Sequence, residues 1–550
     1  MRIVIVGGVA GGASAAARAR RLSEDAEIVV FERGPDVSLA SCGLPYYIGG
    51  TITDRTKLLA ATPDRLRNRF RLDVRTGTAV ESIDRSAKTV TVREMRSGRV
   101  YQHPYDKLIL APGAAPMRPP IPGIDHPAVH TLRNLHDVDR ILSRLDAGAR
   151  RAVVVGAGFI GLEMAENLVQ RGIATALVEL QDQVLPPLDP EMTAPILESL
   201  RSHGVTVVLS QSAEQFEPSG DGVKVVLKSG ERMPADLVML CIGVRPENRL
   251  AVDAGLAVGA RGGVQVNEHL QSSDPDIYAV GDVIEVRDVV TGEPSQIPLA
   301  GPANRQGRLA ADHIFGRAAR FRGAQGTAIV GVFERTAAMT GASEKTLRRL
   351  QRPFRKAYVH PGHHAGYYPG AEAMAIKILF EPDTGKLLGA QIVGGAGVDK
   401  RIDILSVAIQ AGMTVFDLEE MELAYAPQYG SAKDPINMVG FVAAGLIRGD
   451  HPQCDVESLL AMPPEVRPAL VDVRTPQEFA AGRIPGAINI PVDELRSRLG
   501  ELRRDRRWAA YCQAGQRGYI ATRILRQRGF DVVNVGGGFR TYRMHFPDAD

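Results

Sequence analysis

Val153-Val154-Val155-Gly156-Ala157-Gly158-Phe159-Ile160-Gly161 reads as a buried strand running into a glycine turn and the start of a helix. The helix continues through Val169, and a second strand, Thr175 to Val178, ends in Glu179. Small residues in such a turn let the backbone approach a pyrophosphate. The helix N–H groups face its charge, and the acid after the second strand bonds a ribose hydroxyl. The pattern has a second copy at the N-terminus. There a strand from Ile3 to Val6 enters Gly7-Gly8-Val9-Ala10-Gly11-Gly12, an alanine-rich helix runs to about Leu22, and a strand from Ile28 to Phe31 ends in Glu32. Val9 takes the middle glycine position, so this copy is imperfect. Two copies in one chain are far more specific than one, and together they suggest one flavin and one nicotinamide dinucleotide. No Arg or Lys occurs in Val178-Glu179-Leu180-Gln181-Asp182. A 2′-phosphate would meet a carboxylate there, so NADH is expected over NADPH, although Arg171 could soften that preference.

The 550 residues exceed what one core organises and suggest about three to five domains. Hydrophobic residues at 44% and charged residues at 23% are ordinary for a soluble enzyme. A net charge of +3 argues against a surface dedicated to nucleic acid or membrane. No apolar run approaches the roughly 20 residues of a membrane span, and the first strand does not read as a signal peptide. Cys42, Cys241, Cys454 and Cys512 are too few and too scattered for a disulfide scaffold. A cytoplasmic location is therefore expected, and single thiols become candidates for chemistry.

Three further segments complete the frame. Tyr105 to Gly113 is an apolar strand stopped by Pro-Gly, Leu237 to Gly243 precedes Val244-Arg245-Pro246-Glu247-Asn248, and Asp276 to Asp282 closes with Gly281-Asp282. With both glycine turns, they resemble the pyridine nucleotide-disulfide oxidoreductases, the flavoprotein family of glutathione reductase and NADH peroxidase. The resemblance implies FAD held by Gly7, Gly8, Val9, Ala10, Gly11, Gly12, Glu32, Arg33, Ser41, Ala111, Gly113, Gly281, Asp282, Pro298 and Ala300. It implies NADH held by Gly156, Gly158, Ile160, Gly161, Glu179 and Gly243. Residues 325–447 match the family's dimerisation domain in position and length, which implies a homodimer. The last hundred residues, with Asp472-Val473-Arg474, Ile484-Pro485-Gly486-Ala487 and Cys512-Gln513-Ala514-Gly515-Gln516-Arg517, resemble a rhodanese domain. The expected fold is α/β: two Rossmann-like dinucleotide-binding domains, an α+β dimerisation domain and a C-terminal α/β rhodanese domain. Expected boundaries are 1–113 and 246–324 for FAD, 114–245 for NADH, 325–447 for dimerisation, 448–460 for a linker and 461–550 for the rhodanese domain.

Two thiols carry the expected chemistry. Cys512 begins a loop ahead of a helix N-terminus, where N–H donors and Arg517 favour a thiolate, and its C-x-x-x-x-R spacing suits a sulfur atom. Cys42 alone could be a small hydrophobe. Within the flavin frame it matches the redox thiol of single-cysteine relatives, because Gly43, Leu44, Pro45, Tyr46 and Tyr47 provide no second cysteine. Those relatives are NADH oxidases and peroxidases, which cycle a sulfenic acid, and coenzyme A disulfide or persulfide reductases, which form a mixed disulfide. The chain looks most like the CoA disulfide reductase group with a fused rhodanese domain. That likeness implies CoA contacts at Ser14, Arg18, Arg21, Ser38 and Lys433, and active-site tyrosines Tyr367 and Tyr425 supplied across the dimer. Bare sequence also allows Arg18 and Arg21 a solvated helix face, and allows Tyr368 or Tyr429 the tyrosine role. The expected activity is NADH-dependent reduction of CoA disulfide, CoA persulfide or polysulfide through flavin and Cys42, with sulfane sulfur carried on Cys512. A NADH oxidase or peroxidase, and a flavin electron donor to a protein partner, are the alternatives. Neither explains Cys512. No metal is expected.

Overall fold

The structure, a computed structural model, describes residues 1–547. The chain forms two compact units, one of Met1–Asp182 with Gly204–Gly326 and one of Gln183–His203 with the residues from Thr327 onward. In the first unit, Arg2–Val6 lies at the centre of a five-stranded parallel sheet, between Glu27–Phe31 and Lys107–Leu110. Asp73–Arg75 and Ile277–Ala279 form the edges of that sheet. A second parallel sheet repeats the plan, with Arg151–Val155 between Ala174–Val178 and Leu237–Leu240. Ile3, Val4, Ile5, Val153 and Val154 are buried, as expected of parallel strands covered on both faces.

The registers of the two sheets coincide in a way that places both glycine turns alike. Val6 pairs with Phe31 and Val155 with Val178. Each glycine turn therefore starts level with the acid that follows the neighbouring strand, Glu32 or Glu179. Gly7 and Gly156 adopt φ of 95° and 101°. A Cβ on Gly12 or Gly161 would lie 1.9 Å from the carbonyl oxygen of Gly7 or Gly156. The helices Ala10–Leu22 and Phe159–Gln170 can pack this close to their strands only because those positions are glycine. Val9 is tolerated in the first turn because its φ is −96°, which any L-residue adopts.

In the second unit a five-stranded antiparallel sheet has Arg335–Gly341, Leu387–Gly394 and Met374–Phe380 at its centre, with the helices Val398–Ala411 and Pro435–Arg448. A parallel sheet follows, in the order Gln453–Cys454, Val532–Val535, Trp508–Tyr511, Ala469–Asp472, Ile488–Asn489. Two local features bear on the chain organisation. The stretch 448–460 is not a free linker: Gln453–Cys454 is an edge strand paired with Asn534 and Val535, and Val456–Ala461 is a helix. A two-residue edge strand is too short to show a period in the sequence, whereas its Gly and Pro neighbours read as loop. The segment Gln183–His203, expected with the NADH domain, belongs to the second unit, where Ser199 Oγ donates to Val332 O.

Candidate active site

The two glycine turns present matching polar features. Glu32 accepts N–H bonds from Gly8 at 2.9 Å and Gly34 at 2.7 Å, and Glu179 accepts from Ala157 at 2.7 Å and Gln181 at 2.9 Å. A Cβ on Gly158 would meet nothing within 4 Å, so the backbone there is open to an approaching phosphate. Ala111 and Cys241 occupy equivalent places: a Cβ on Gly7 or Gly156 would lie 2.1 or 2.5 Å from their carbonyl oxygens. Gly113 and Gly243 then follow with φ of 77° and 108°. This equivalence explains Cys241: it is a small, half-buried residue of the repeat, with a thiol pushed up to about 12 by desolvation.

Asp282 follows the edge strand at Gly281, whose N–H is held by Gln306 Oε1 at 2.7 Å. Burial raises its carboxyl, opposed by Arg133. Pro298 and Ala300 stand at the start of the helix Ala300–Ile314. That helix crosses the first one closely enough that a Cβ on Gly307 would lie 2.1 Å from Gly11 O. Arg33 donates to Glu247, a carboxylate it shares with Arg133. Ile160 is exposed.

Cys42 lies in a short 3-10 turn, Ser41–Gly43, that leads directly into the helix Leu44–Gly49. This segment hangs from the first glycine loop, since Ser38 donates its N–H to Gly8 O at 2.8 Å with φ of 52°. Cys42 is exposed, yet partial burial first, then the charges of Glu163 and Asp282, push its thiol above the ordinary value; Ser41 acts in the opposite sense. On the helix that follows, Tyr46 OH donates to Glu163 Oε1 at 3.2 Å.

Among the expected CoA contacts, Ser14 donates to Asn304 and Arg21 is exposed on the first helix. Arg18 pairs with Asp312 at 2.6 and 2.8 Å, with both side chains largely buried. Sequence placed Arg18 and Arg21 on one helix face but could not show that an acid 294 residues away engages the first.

Tyr367 and Tyr425, chosen separately from sequence, are brought together, their hydroxyls 2.6 Å apart and both side chains exposed. Their loops meet at a buried ion pair. Arg401 donates to His363 O and to Asp434, each at 2.8 Å, and Ala365 N bonds Gly430 O at 2.9 Å. Tyr429 and Lys433 are exposed in the same loop.

Cys512 is buried at the end of the strand Trp508–Tyr511, and its Sγ accepts the Gly515 N–H at 3.2 Å. Gly515, with φ of 101°, turns the chain into the helix Gln516–Gln527. Gly538 packs on the loop from outside, where a Cβ would lie 2.2 Å from Cys512 O. Arg517 is fixed by Glu478 at 2.6 and 2.7 Å, and that pairing holds the Glu478 carboxyl down to about 2. Cys454 is an edge-strand residue with its thiol pushed up to about 12 by burial.

Glu163, Tyr46, Arg401, Asp434 and Glu478 were not singled out from sequence. Only Glu163 left a signal there, as a charge flanked in sequence by the buried Leu162, Met164 and Ala165.

Residues 1–307 match the family model of the pyridine nucleotide-disulphide oxidoreductases. The chain belongs to that family. The oxidoreductase's residues 327–434 match the family's dimerisation domain, and residues 455–545 match the rhodanese-like domain. The coenzyme A disulfide reductase of Staphylococcus epidermidis is 36% identical over 444 residues, which is 80% of this chain and 99% of that protein. The crystal structure of reduced Bacillus anthracis CoADR-RHD superposes with a TM-score of 0.97 at 48% identity, covering 100% of this chain and 98% of that one. A NAD-dependent persulfide reductase from A. fulgidus matches at TM-score 0.92 and 38% identity, over 98% of this chain and 100% of that one.

Proposed function

We propose that this oxidoreductase uses NADH to reduce CoA disulfide, CoA persulfide or polysulfide at Cys42. One observation carries the reading: Cys42 is a free thiol whose next five residues hold no cysteine, so the sulfur it reacts with comes from substrate. The glycine turn at Gly7, Glu32 and Asp282 suit FAD. Gly156, Gly158 and Glu179 suit NADH, because the Glu179 carboxylate opposes a 2′-phosphate. When bound, the flavin supplies the passage of two electrons from NADH to sulfur.

The chain's own groups do the rest. Cys42 thiolate attacks one sulfur of CoA disulfide, forming a Cys42–S–S–CoA bond and releasing CoA thiolate. A phenol of the Tyr367–Tyr425 pair, contributed across a homodimer, gives that thiolate its proton. Two electrons and one proton then cleave the mixed disulfide to Cys42 thiolate and a second CoA thiol. Ser14, Arg18, Arg21, Ser38 and Lys433 hold the CoA moiety. Cys512 carries sulfane sulfur as a persulfide, and its tether raises the local supply of that sulfur. Four free thiols suit the reducing cytoplasm.

The test is NADH oxidation with CoA disulfide, CoA persulfide, polysulfide and hydrogen peroxide. Cys42→Ser is expected to lose the three sulfur activities by at least about 100-fold, and Cys512→Ser only those fed through the rhodanese domain. Turnover with CoA disulfide that survives in Cys42→Ser sinks the reading. Turnover with peroxide alone selects a sulfenic-acid peroxidase instead.

A further inference from the structure

His451 lies between the helix Pro435–Arg448 and the edge strand Gln453–Cys454, ahead of the residues 455–545 that match the rhodanese-like domain. Arg448, Gly449 and Asp450 before it are exposed, yet His451 is buried, with 7% of its surface accessible. Its backbone N–H donates to Gly445 O at 3.0 Å, which hangs it from the last turn of that helix. A Cβ on Gly445 would lie 3.1 Å from the His451 Cβ, so a glycine lets the two segments approach. The imidazole lies against Tyr519, ring centroids 4.2 Å apart, in the first turn of the helix Gln516–Gln527.

From His451 a line of hydrogen bonds leads to Cys512. Asn534 Nδ2, on the strand Val532–Val535, lies 2.9 Å from His451 Nε2 and donates to Gly515 O at 3.2 Å. Gly515 O also accepts the Tyr519 N–H at 2.9 Å, and Gly515 N–H donates to Cys512 Sγ at 3.2 Å. The direction of the Asn534 amide follows from Gly515. Turned over, it would set its own oxygen against the Gly515 carbonyl, two acceptors with no proton between them. His451 Nε2 must then accept, which puts the ring proton on Nδ1. The Gln453 amide nitrogen also reaches this ring, 3.0 Å from Nε2 and 3.2 Å from Nδ1. Burial, with Arg523 adding to it, holds the imidazole down to about 4, so Nε2 can accept at neutral pH. Asn534 Oδ1 is buried with no hydrogen-bond partner among the described residues, and a Cβ on Gly518 would lie 2.3 Å from it. An apolar residue here would spare the fold that unmet acceptor, so what the asparagine brings is its Nδ2.

We infer that His451 is a positioning residue of the Cys512 site, holding the Asn534 amide so that it fixes the Gly515 turn whose N–H meets Cys512 Sγ. The residue comes from outside the rhodanese-like domain, so the sulfur loop is completed by the segment that follows the dimerisation helix. A fixed N–H donor favours negative charge on Sγ, both when Cys512 attacks a sulfur donor and when it leaves its persulfide. This rests on the reading of Cys512 as a sulfur carrier, and the experiment separates the two.

The experiment measures thiocyanate formed from cyanide by the flavin-loaded full chain, with thiosulfate and with glutathione persulfide as donors. With thiosulfate, Cys512 thiolate forms a bond to the outer sulfur as the sulfur–sulfur bond of the donor breaks and sulfite leaves. Cyanide then removes that sulfur as thiocyanate and restores the thiolate. His451→Leu removes the acceptor and is expected to lower kcat about ten-fold, with KM for the donor within about two-fold of wild type. His451→Gln puts an amide oxygen near the place of Nε2 and is expected to recover kcat to within about two-fold of wild type. Asn534→Asp keeps the shape but sets an oxygen against Gly515 O, and its kcat is expected to fall like that of His451→Leu. It reads the chain should His451→Leu not fold, and flavin content and melting temperature report folding for every variant. Wild-type kcat in His451→Leu or in Asn534→Asp overturns the inference. So does an equal loss in His451→Gln and His451→Leu, which would mark packing rather than the hydrogen bond. Thiocyanate formation as fast in Cys512→Ser as in wild type overturns the carrier reading and this inference together.

Discussion

Glu179 does two jobs with one carboxylate. It accepts the Ala157 and Gln181 N–H groups, which fixes the mouth of the second turn, and in the proposed NADH site it sets negative charge against a 2′-phosphate. Glu179→Gln keeps an acceptor for the turn and removes the charge. The ratio of kcat/KM for NADPH to that for NADH is expected to rise about ten-fold, equivalent to about 1.4 kcal/mol of relieved repulsion. An unchanged ratio with both coenzymes would show that discrimination arises elsewhere. At this scale the sequence was most readable where a residue answers a local demand. Gly7, Gly156, Glu32 and Glu179 could be named because strand, turn and acid lie within about 30 residues of one another. Arg18 could not be read in the same way, because Asp312 decides its state from a distant helix.

The helices show the same contrast. Ala10–Leu22 and Phe159–Gln170 follow from the glycine turns and an apolar face. What they touch does not. The helix Ala300–Ile314 meets Ala10–Leu22 through Gly307, and nothing in a glycine within a helix announces a crossing. Gly307→Ala would drive a Cβ to 2.1 Å from the Gly11 carbonyl, a backbone atom that cannot rotate away. Such overpacking costs about 1–3 kcal/mol. Because Gly11 also lies in the first turn of the helix that follows the first glycine turn, the proposed FAD site, the variant is expected to purify with less flavin per chain, read from its visible absorbance, and to have a lower melting temperature. Full flavin content at an unchanged melting temperature would show that this crossing yields. The Tyr367–Tyr425 pair is likewise legible only as two separate residues. Arg401 and Asp434 join their loops, and a buried ion pair between a helix and a loop has no sequence period.

At the scale of the whole second unit, one charge network binds segments that are far apart in the chain. Lys377, fully buried, donates to Asp189 at 2.8 Å, Glu191 at 2.5 Å and Glu344 at 2.7 Å. Lys356 adds Glu344 at 3.1 Å and lies 3.5 and 3.7 Å from Glu457 and Asp455, at the start of the rhodanese region. Tyr358 OH completes it on Glu191 at 2.8 Å. Burial pushes the glutamates up, but Lys377 outweighs it and holds Glu344 down to about 2 and Glu191 below its ordinary value. These folded-state values lie below the roughly 4.3 of an unfolded glutamate. Their stabilisation is therefore present above about pH 4.3 and is lost as pH falls towards 2. Lys377→Met leaves three buried carboxylates facing one another at neutral pH, which costs about 3–5 kcal/mol. Acid relieves that repulsion, so the deficit of the variant relative to wild type is expected to shrink steadily below about pH 5. Scanning calorimetry from pH 7 to pH 3 separates this from simple cavity formation, which would give a deficit independent of pH. Because Lys356 ties the network to Asp455 and Glu457, the transition that shifts is expected to include the rhodanese domain. A rhodanese domain that melts unchanged while the rest of the unit shifts would show that the network stops at Lys356.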